Sequence, residues 1–181
     1  MGGTSPAAGP ESNVRGVGAM ILVTVSTGHF DPLIQACVDL AKKYEFVGQI
    51  GIGTVVPPFK HFRKVSPVEI EDWMRRSELV ISHAGTGMLS TLYRLRKASV
   101  VVPKQVRYGE SNNGQVELAV KWAELKMGVL CMDVAQLEGA IQTCRRTPFH
   151  FPAFQALGRN LEAEIRKAEK RTPETGKRSF G

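Results

Sequence analysis

The sequence predicts an α/β fold, a single Rossmann-like domain built on a parallel sheet. Short apolar runs rich in valine and isoleucine alternate with amphipathic segments of roughly ten residues, the pattern of strands joined by helices. Such alternation produces a parallel sheet that is covered by helices on both faces. Three of the apolar runs are followed by polar loops, which places those loops beyond the carboxyl ends of the strands, where open sheets bind ligands.

The strands are predicted from short apolar runs that are bounded by turn residues. They cover residues 20–26, 46–50, 79–81, 99–102 and 128–132, with a further short extended piece at 60–65. Leu79, Val80 and Ile81 form an unbroken apolar run, which is typical of a strand buried on both faces. Pro103 ends the strand before it.

The helices are predicted from their start signals and from helical spacing. Asp31 is expected to be the N-cap of the first helix, with Pro32 at its first position. Ser66 and Glu69 form a capping box around Pro67. The predicted helices cover residues 31–44, 67–76, 87–97, 113–126 and 133–145, and a final helix begins at Pro152 with apolar residues at Phe154, Leu157, Leu161 and Ile165.

Composition predicts where the folded domain begins and ends. Residues 1–19 are rich in Gly, Pro, Ala and Ser, without the basic start or apolar core of a secretory signal, and are expected to be a disordered leader. Residues 20–170 are expected to form the domain, and residues 171–181 a disordered basic tail. No apolar run approaches the ~20 residues that a membrane-spanning helix requires.

The positive charge is concentrated near the end of the chain. The net charge is +7, and the segment from Arg145 onward holds nine Lys and Arg against four Glu, or +5 of that total. The remainder is nearly balanced, and its aromatic residues are not interleaved with basic ones as a single-strand-binding surface would require. We therefore expect no nucleic acid partner.

Cysteine and histidine usage predicts reduced thiols and no bound metal. The three cysteines, Cys37, Cys131 and Cys144, are odd in number and form no C-x-x-C motif, as expected for thiols in a cytosolic protein. No two histidines are three or four residues apart, and no carboxylate pair is placed for Mg²⁺.

The loops 26–29, 83–87 and 104–115 are the predicted binding site. They are rich in Ser, Thr, Gly, Asn and Gln and hold few carboxylates, which favours an anionic, hydroxyl-rich ligand. Gly85 and Gly87 are expected to let the backbone turn sharply and approach a phosphate at a helix N-terminus. His83 could contact that phosphate or be hydrogen-bonded within its own turn. A tight turn without any ligand is the alternative.

A dinucleotide-binding protein is a second alternative. Gly85, Gly87 and Ser90 fall one residue short of the G-x-G-x-x-G fingerprint. That fingerprint normally follows the first strand, whereas this turn follows a later one. The next strand ends in Pro103 and Lys104 instead of the acidic residue that holds an adenine ribose.

Five segments together resemble a known family. They are residues 23–34, with Val-Thr-Val-Ser-Thr and Phe-Asp-x-Leu-Ile, and the segments 49–54, 79–87, 100–103 and 112–119. In this order they resemble the glycosyltransferase family 28 C-terminal domain. The chain is similar to the stand-alone donor-binding subunits of two-part UDP-sugar glycosyltransferases, of the eukaryotic dolichol-linked GlcNAc transferase type and the bacterial exopolysaccharide type.

The resemblance implies half of a GT-B enzyme. Its activity would be transfer of a hexosyl group from a UDP-sugar to a lipid-linked saccharide acceptor, without a metal or other cofactor. A membrane-anchored partner subunit would bind the acceptor and hold the chain at the cytoplasmic face of a membrane. A non-catalytic scaffold subunit of such a complex is the alternative.

The resemblance also implies roles for individual residues. Ser26, Thr27 and Gly28 would face the cleft toward the partner. His29 is an ionisable ring near that cleft and a candidate for the catalytic base, and a base on the partner is the alternative. The turn with His83, Gly85, Thr86 and Gly87 would face the donor diphosphate. The sugar and ribose would lie near Glu110, Asn112, Asn113 and Gln115.

Several positions depart from the family pattern, and three of them concern the predicted site. Ser26 stands where the family usually has Gly, and Gly114 replaces the usual His. Thr91 stands where some relatives carry a Glu expected to hold the ribose. These changes are the reason for the scaffold alternative.

Overall fold

The computed structural model describes residues 20–109 and 113–153. The chain divides into two compact units, Met1–Phe149 and His150–Gly181. Every described helix and strand belongs to the first unit, and residues 150–153 of the second have neither. The predicted leader, final helix and basic tail lie outside the described residues, so the predicted domain boundaries stay predictions.

Six parallel strands form one sheet in the described part of the chain. They are β1 (Ile21–Thr24), β2 (Phe46–Gln49), β3 (Lys60–Phe62), β4 (Leu79–Ser82), β5 (Ser99–Val101) and β6 (Val129–Leu130). Their order is β3-β2-β1-β4-β5-β6, and Thr24 at the end of β1 is paired with Gln49 of β2 and Ser82 of β4. The order reverses between β1 and β4, which makes this the topological switch point of the sheet.

Within the described residues, five α-helices connect or follow the strands. They are α1 (Asp31–Leu40), α2 (Pro67–Arg76), α3 (Thr86–Arg94), α4 (Gly114–Glu124) and α5 (Leu137–Arg146), with 3-10 turns at Val106–Tyr108 and Val134–Gln136. The predicted Rossmann-like α/β fold with a parallel sheet is therefore confirmed. The helix predicted from Asp133 is divided, because Asp133 caps the second 3-10 turn by accepting from the Ala135 amide, and α5 begins after that turn.

The helices cover both faces of the sheet. One core contains alternate strand residues such as Val23, Ile81 and Val100, together with Leu33 of α1 and Ile141 of α5. Since successive strand side chains point to opposite faces, the intervening residues face the other layer. That layer contains the buried residues of α2, α3 and α4, namely Met74, Leu89, Leu92, Ala119 and Trp122.

The predicted capping box is confirmed, but the predicted N-cap of the first helix is wrong. Ser66 Oγ accepts from the Glu69 amide at 3.2 Å, and the Glu69 carboxylate accepts from the Ser66 amide at 2.9 Å. Phe30 is the N-cap of α1, and Asp31 is the first helical residue. The Asp31 carboxylate instead accepts from the Thr54 amide at 3.0–3.1 Å, which links α1 to the loop after β2.

Candidate functional site

The switch point opens a crevice beyond the carboxyl ends of β1 and β4. From β1 the chain passes through residues 25–30 into α1 on one face of the sheet. From β4 it passes through His83, Ala84 and Gly85 into α3 on the other face. Because the two connections diverge, the backbone between them is left open to a ligand.

Helix α3 begins at this crevice with exposed first residues. Gly85 is its N-cap, with φ −71° and ψ 138°, and no described side chain caps the first amides. Thr86 and Gly87 are exposed, and a Cβ on Gly87 would meet no described atom within 4 Å. The amide groups and the positive end of the helix dipole are thus presented to the crevice, an arrangement that favours anions.

The turn expected at the two glycines lies between β4 and α3, but it does not use positive φ at either glycine. Neither Gly85 nor Gly87 is among the residues with positive φ, and Gly87 already lies inside α3. Gly85 is needed for a different reason, because a Cβ at this position would overlap the His83 ring.

His83 is hydrogen-bonded within its own turn. Its Nδ1 accepts from the Gly85 amide at 3.0 Å, and the ring is half-buried. In the neutral imidazole the hydrogen is therefore on Nε2, since one ring nitrogen accepts and the other donates. The structure thus shows the turn-bonded alternative, and a phosphate contact by this side chain stays a prediction.

The loop after β1 forms the opposite wall of the crevice. Ser26 has φ 61°, the left-handed region that favours glycine, the residue that the family resemblance leads one to expect at this position. Thr27 is exposed, and the Gly28 carbonyl accepts from the Ile52 amide at 2.9 Å. Gly51 has φ 55°, and a Cβ on it would overlap that carbonyl. The loops after β1 and β2 are therefore packed backbone against backbone.

A row of buried polar side chains lies beneath the crevice. Thr24 Oγ1 donates to Gln49 Oε1 at 2.7 Å and accepts from the Ser26 amide at 3.1 Å. Ser82, the register partner of Thr24 on β4, is fully buried, and its Oγ has no hydrogen-bond partner among the described residues. This row positions the start of the loop after β1.

Gln115 and Asn113 hold loops together in this structure. Gln115 Oε1 accepts from the Ala84 amide at 3.1 Å and from the Lys104 amide at 3.2 Å, which joins the segments after β4 and β5. Asn113 Oδ1 accepts from the Val106 amide at 2.9 Å. Both side chains are thus positioning residues, and their contact with a sugar stays a prediction. Glu110 and Asn112 lie outside the described residues.

His29 is exposed and lies near Asp31 at the start of α1. Partial burial raises the pKa of Asp31, but hydrogen bonds from the Thr54 hydroxyl and from the Thr54 and Val55 amides outweigh it. With the charge of His29 they hold the pKa below its ordinary value. Asp31 is therefore a carboxylate that fixes a loop, and a catalytic role for His29 stays a prediction.

Two residues of the segment after β5, Arg107 and Tyr108, make contacts with other parts of the domain. Arg107 pairs with Asp133 at 3.3 Å and lies over the Tyr108 ring. The Tyr108 ring packs against Phe30 with centroids 5.3 Å apart, and its hydroxyl accepts from the Val134 amide at 3.3 Å. These contacts tie the start of α1 to the segment that leads into α5.

Lys104 is a basic residue of the crevice that begins the third predicted loop, although the sequence analysis gave its side chain no role. Its Nζ lies 3.3 Å from the position that a Cβ on Gly28 would occupy. The sequence feature that could have identified this residue is a lysine directly after Pro103, at the carboxyl end of a strand next to the switch point.

A groove of about 460 Å³ lies elsewhere, between α1 and the start of α5, where Pro32 and Ala135 are among its lining residues. None of the predicted binding residues that the structure describes lines it. Within residues 20–109 and 113–153, no three His, Cys, Asp or Glu side chains form a group that could hold a metal ion. None of the described helices is both long and apolar enough to cross a bilayer.

Sequence comparison identifies the family. The glycosyltransferase family 28 C-terminal domain matches residues 20–170. The chain belongs to this family. The human UDP-N-acetylglucosamine transferase subunit ALG13 is 39% identical over 115 residues, which are 55% of this chain and 10% of the human protein. The chain thus spans about a tenth of that relative's length.

Solved structures share the fold at low identity. The NMR solution structure of ALG13 has a TM-score of 0.52 at 19% identity, over 75% of this chain and 90% of that one. The spinosyn rhamnosyltransferase SpnG complexed with thymidine diphosphate has a TM-score of 0.52 at 20% identity, over 77% of this chain and 40% of that one. The kitacinnamycin glycotransferase has a TM-score of 0.51 at 19% identity, over 79% of this chain and 40% of that one. This chain therefore corresponds in fold to one α/β half of a GT-B glycosyltransferase.

Proposed function

We propose that this chain is the donor-binding subunit of a glycosyltransferase that transfers a hexosyl group from a UDP-sugar to a lipid-linked acceptor. The observation that carries the proposal is the exposed start of α3 at the switch point, in a chain of this glycosyltransferase family. Thr86 and Gly87 present backbone N–H groups where a diphosphate would lie. A relative in fold is complexed with thymidine diphosphate, which is consistent with a nucleoside diphosphate as the ligand.

The proposed catalysis stabilises the leaving group of the transfer reaction. When the bond between the sugar and the β-phosphate oxygen breaks, negative charge develops on the departing UDP. The preorganised N–H groups and dipole at the start of α3 stabilise that charge without a metal ion. His29 is the candidate in this chain for accepting the proton of the acceptor hydroxyl, and a group on the partner is the other candidate.

A partner subunit would complete the site from the acceptor side. Three exposed apolar side chains lie outside the strands and α-helices: Ile52 at 69% exposure, Val56 at 61% and Val106 at 53%. Ile52 follows β2 and Val106 follows β5, and the second half of a GT-B enzyme would cover the domain at this edge of the sheet. We propose a membrane-anchored partner that docks there and holds the chain at the cytoplasmic face of the membrane.

A scaffold subunit without donor chemistry is the second candidate, and Thr91 is the observation that favours it. The Thr91 hydroxyl donates to the Gly87 carbonyl at 3.0 Å within α3, so this side chain is bonded to its own helix. It offers no carboxylate for a ribose, unlike the Glu of some relatives.

Nucleotide protection separates these functions. UDP and UDP-sugars should raise the unfolding temperature of the purified chain, and NAD should not. A ligand present at about 100 times its Kd adds ~2.7 kcal/mol of stability. Gly87→Ala should keep the fold yet lose most of the protection, because its Cβ would stand between the helix amides and the diphosphate. Protection by UDP that is unchanged in Gly87→Ala would remove the start of α3 from the site.

Transfer itself requires the complex. The chain should be co-expressed with a candidate membrane-anchored subunit, and the purified complex assayed with several UDP-sugars and a lipid-linked acceptor. We expect transfer that is lost in the complex carrying Gly87→Ala. A complex that transfers sugar equally well with this variant would indicate the scaffold function.

A further inference from the structure

Lys104 extends its side chain across the crevice at the switch point. It follows β5, yet its Nζ lies 3.3 Å from the position of a Cβ on Gly28, in the loop after β1. Strand β4 lies between β5 and β1, and neighbouring strands are about 4.8 Å apart, so these two strand ends are separated by roughly 10 Å. The Lys104 side chain therefore passes over the carboxyl end of β4.

The backbone of Lys104 is fixed beside the turn that leads into α3. Gln115 Oε1 accepts from the Lys104 amide at 3.2 Å and from the Ala84 amide at 3.1 Å. One oxygen thus brings the base of the Lys104 side chain next to the residue that precedes Gly85, the N-cap of α3. The side chain begins at the α3 side of the crevice and ends at the Gly28 side.

From this geometry we propose that the Lys104 ammonium binds the diphosphate of the sugar-nucleotide donor, and that Gln115 is the residue that positions it. The assignment rests on the function proposed above. The start of α3 supplies neutral N–H donors and a partial positive charge, whereas an ammonium supplies a full charge and up to three donors. Half-burial of Lys104 strengthens its attraction to phosphate, because such a site is less screened than open solvent.

Lys104 would act mainly on the leaving group. In transfer, the bond from the sugar anomeric carbon to the β-phosphate oxygen breaks, and its electron pair stays on that oxygen. The acceptor hydroxyl oxygen forms the new bond to the anomeric carbon, and its proton passes to the base. The ammonium faces the charge that accumulates on UDP, which stabilises the transition state more than the bound donor.

Affinity measurements with UDP and UMP test this assignment. Calorimetry should compare the wild type with Lys104→Gln, Lys104→Arg and a control, Lys42→Gln, at an exposed residue after α1. We expect Lys104→Gln to weaken UDP binding by about 10-fold or more, the usual effect of losing a charged hydrogen bond. The affinity for UMP, which lacks the β-phosphate, should fall by a smaller factor. Lys104→Arg should remain within about 3-fold of wild type, and Lys42→Gln should bind as wild type does.

Each result decides one question. If the wild type binds UDP and Lys104→Gln binds it equally well, the Lys104 assignment is wrong while the proposed function stands. The assignment is also wrong if Lys104→Gln weakens UDP and UMP by the same factor and Lys104→Arg does not restore binding, since that pattern indicates a packing role. A wild-type chain that does not bind UDP overturns the proposed function first, and the Lys104 assignment with it.

Discussion

The amide of Gly85 donates a hydrogen bond to Nδ1 of His83 across 3.0 Å, and the imidazole ring occupies the space that a side chain on Gly85 would need. The turn between β4 and α3 is therefore a packed unit of ring against backbone. This arrangement fixes the direction in which α3 begins, and with it the direction of the exposed amides. The glycine is required by the neighbouring histidine and not by its own backbone angles.

Gly85→Ala should destabilise the protein by about 1–3 kcal/mol, the usual cost of forcing extra volume into a packed site. Gly87→Ala is the matched control, because its Cβ meets no described atom within 4 Å and alanine favours the helix. Its stability should equal or exceed that of wild type. Urea unfolding measures both. Equal stability of the two variants would show that the His83 ring moves aside without cost.

Gly51→Ala should be more destabilising than Gly109→Ala. Both glycines have positive φ, 55° and 90°, so alanine is strained at either position. At Gly51 the added Cβ also overlaps the Gly28 carbonyl, whereas at Gly109 it meets no described atom within 4 Å. We expect a loss of about 1–2 kcal/mol at Gly109 from backbone strain and at least ~2 kcal/mol at Gly51. Equal losses in urea unfolding would contradict the packing of the two loops.

Asp31→Asn should make stability less dependent on acid pH. The pKa of Asp31 is held below its ordinary value, so the ionised carboxylate stabilises the fold above about pH 4, the range of an unfolded Asp. That contribution is lost as the pH falls through the lower, folded-state pKa. The variant should therefore be less stable than wild type at pH 7, and the difference should shrink toward pH 3. Urea midpoints across this range measure it, with Asp39→Asn at an exposed site as the control. A stability difference between wild type and Asp31→Asn that stays constant with pH would contradict this prediction.

Thr24→Val and Ser82→Ala should differ in effect although the two residues are register partners. Valine at position 24 removes the hydroxyl that donates to Gln49 and accepts from the Ser26 amide, which should cost about 1–3 kcal/mol. Ser82 Oγ has no hydrogen-bond partner among the described residues, so its removal should change stability by less than about 0.5 kcal/mol or increase it. A large loss in Ser82→Ala would point to a bonded hydroxyl.

The fold was predictable because local signals agree with the topology. The capping box at Ser66 and Glu69 is formed as predicted, and the apolar runs are all strands of the parallel sheet. The ends of elements were less predictable, because they depend on tertiary contacts. The first strand ends at Thr24, two residues before Ser26 with its positive φ, and α1 ends at Leu40 although residues 41–44 have good helical composition.

The site was predictable to the level of loops but not of contacts. Sequence placed His83, Gly85 and Gln115 beyond the strand ends, where the structure also has them. It could not show that Asp31 accepts a hydrogen bond from Thr54, 23 residues away, or that Gln115 accepts hydrogen bonds from two separate amides. Such pairings depend on which strands are neighbours, and strand order is not encoded in any local pattern.

None of the three cysteines forms a disulfide, and Cys37, Cys131 and Cys144 are all buried, with exposures of 0%, 2% and 2%. Burial also raises the pKa of the Cys131 thiol to about 11, so little thiolate exists there at neutral pH. Maleimide reagents should therefore leave the native thiols untouched, and a new cysteine in place of Ile52 could carry a fluorophore or crosslinker without a cysteine-free background. The wild-type chain is thus ready for distance measurements across the interface it would form with its partner.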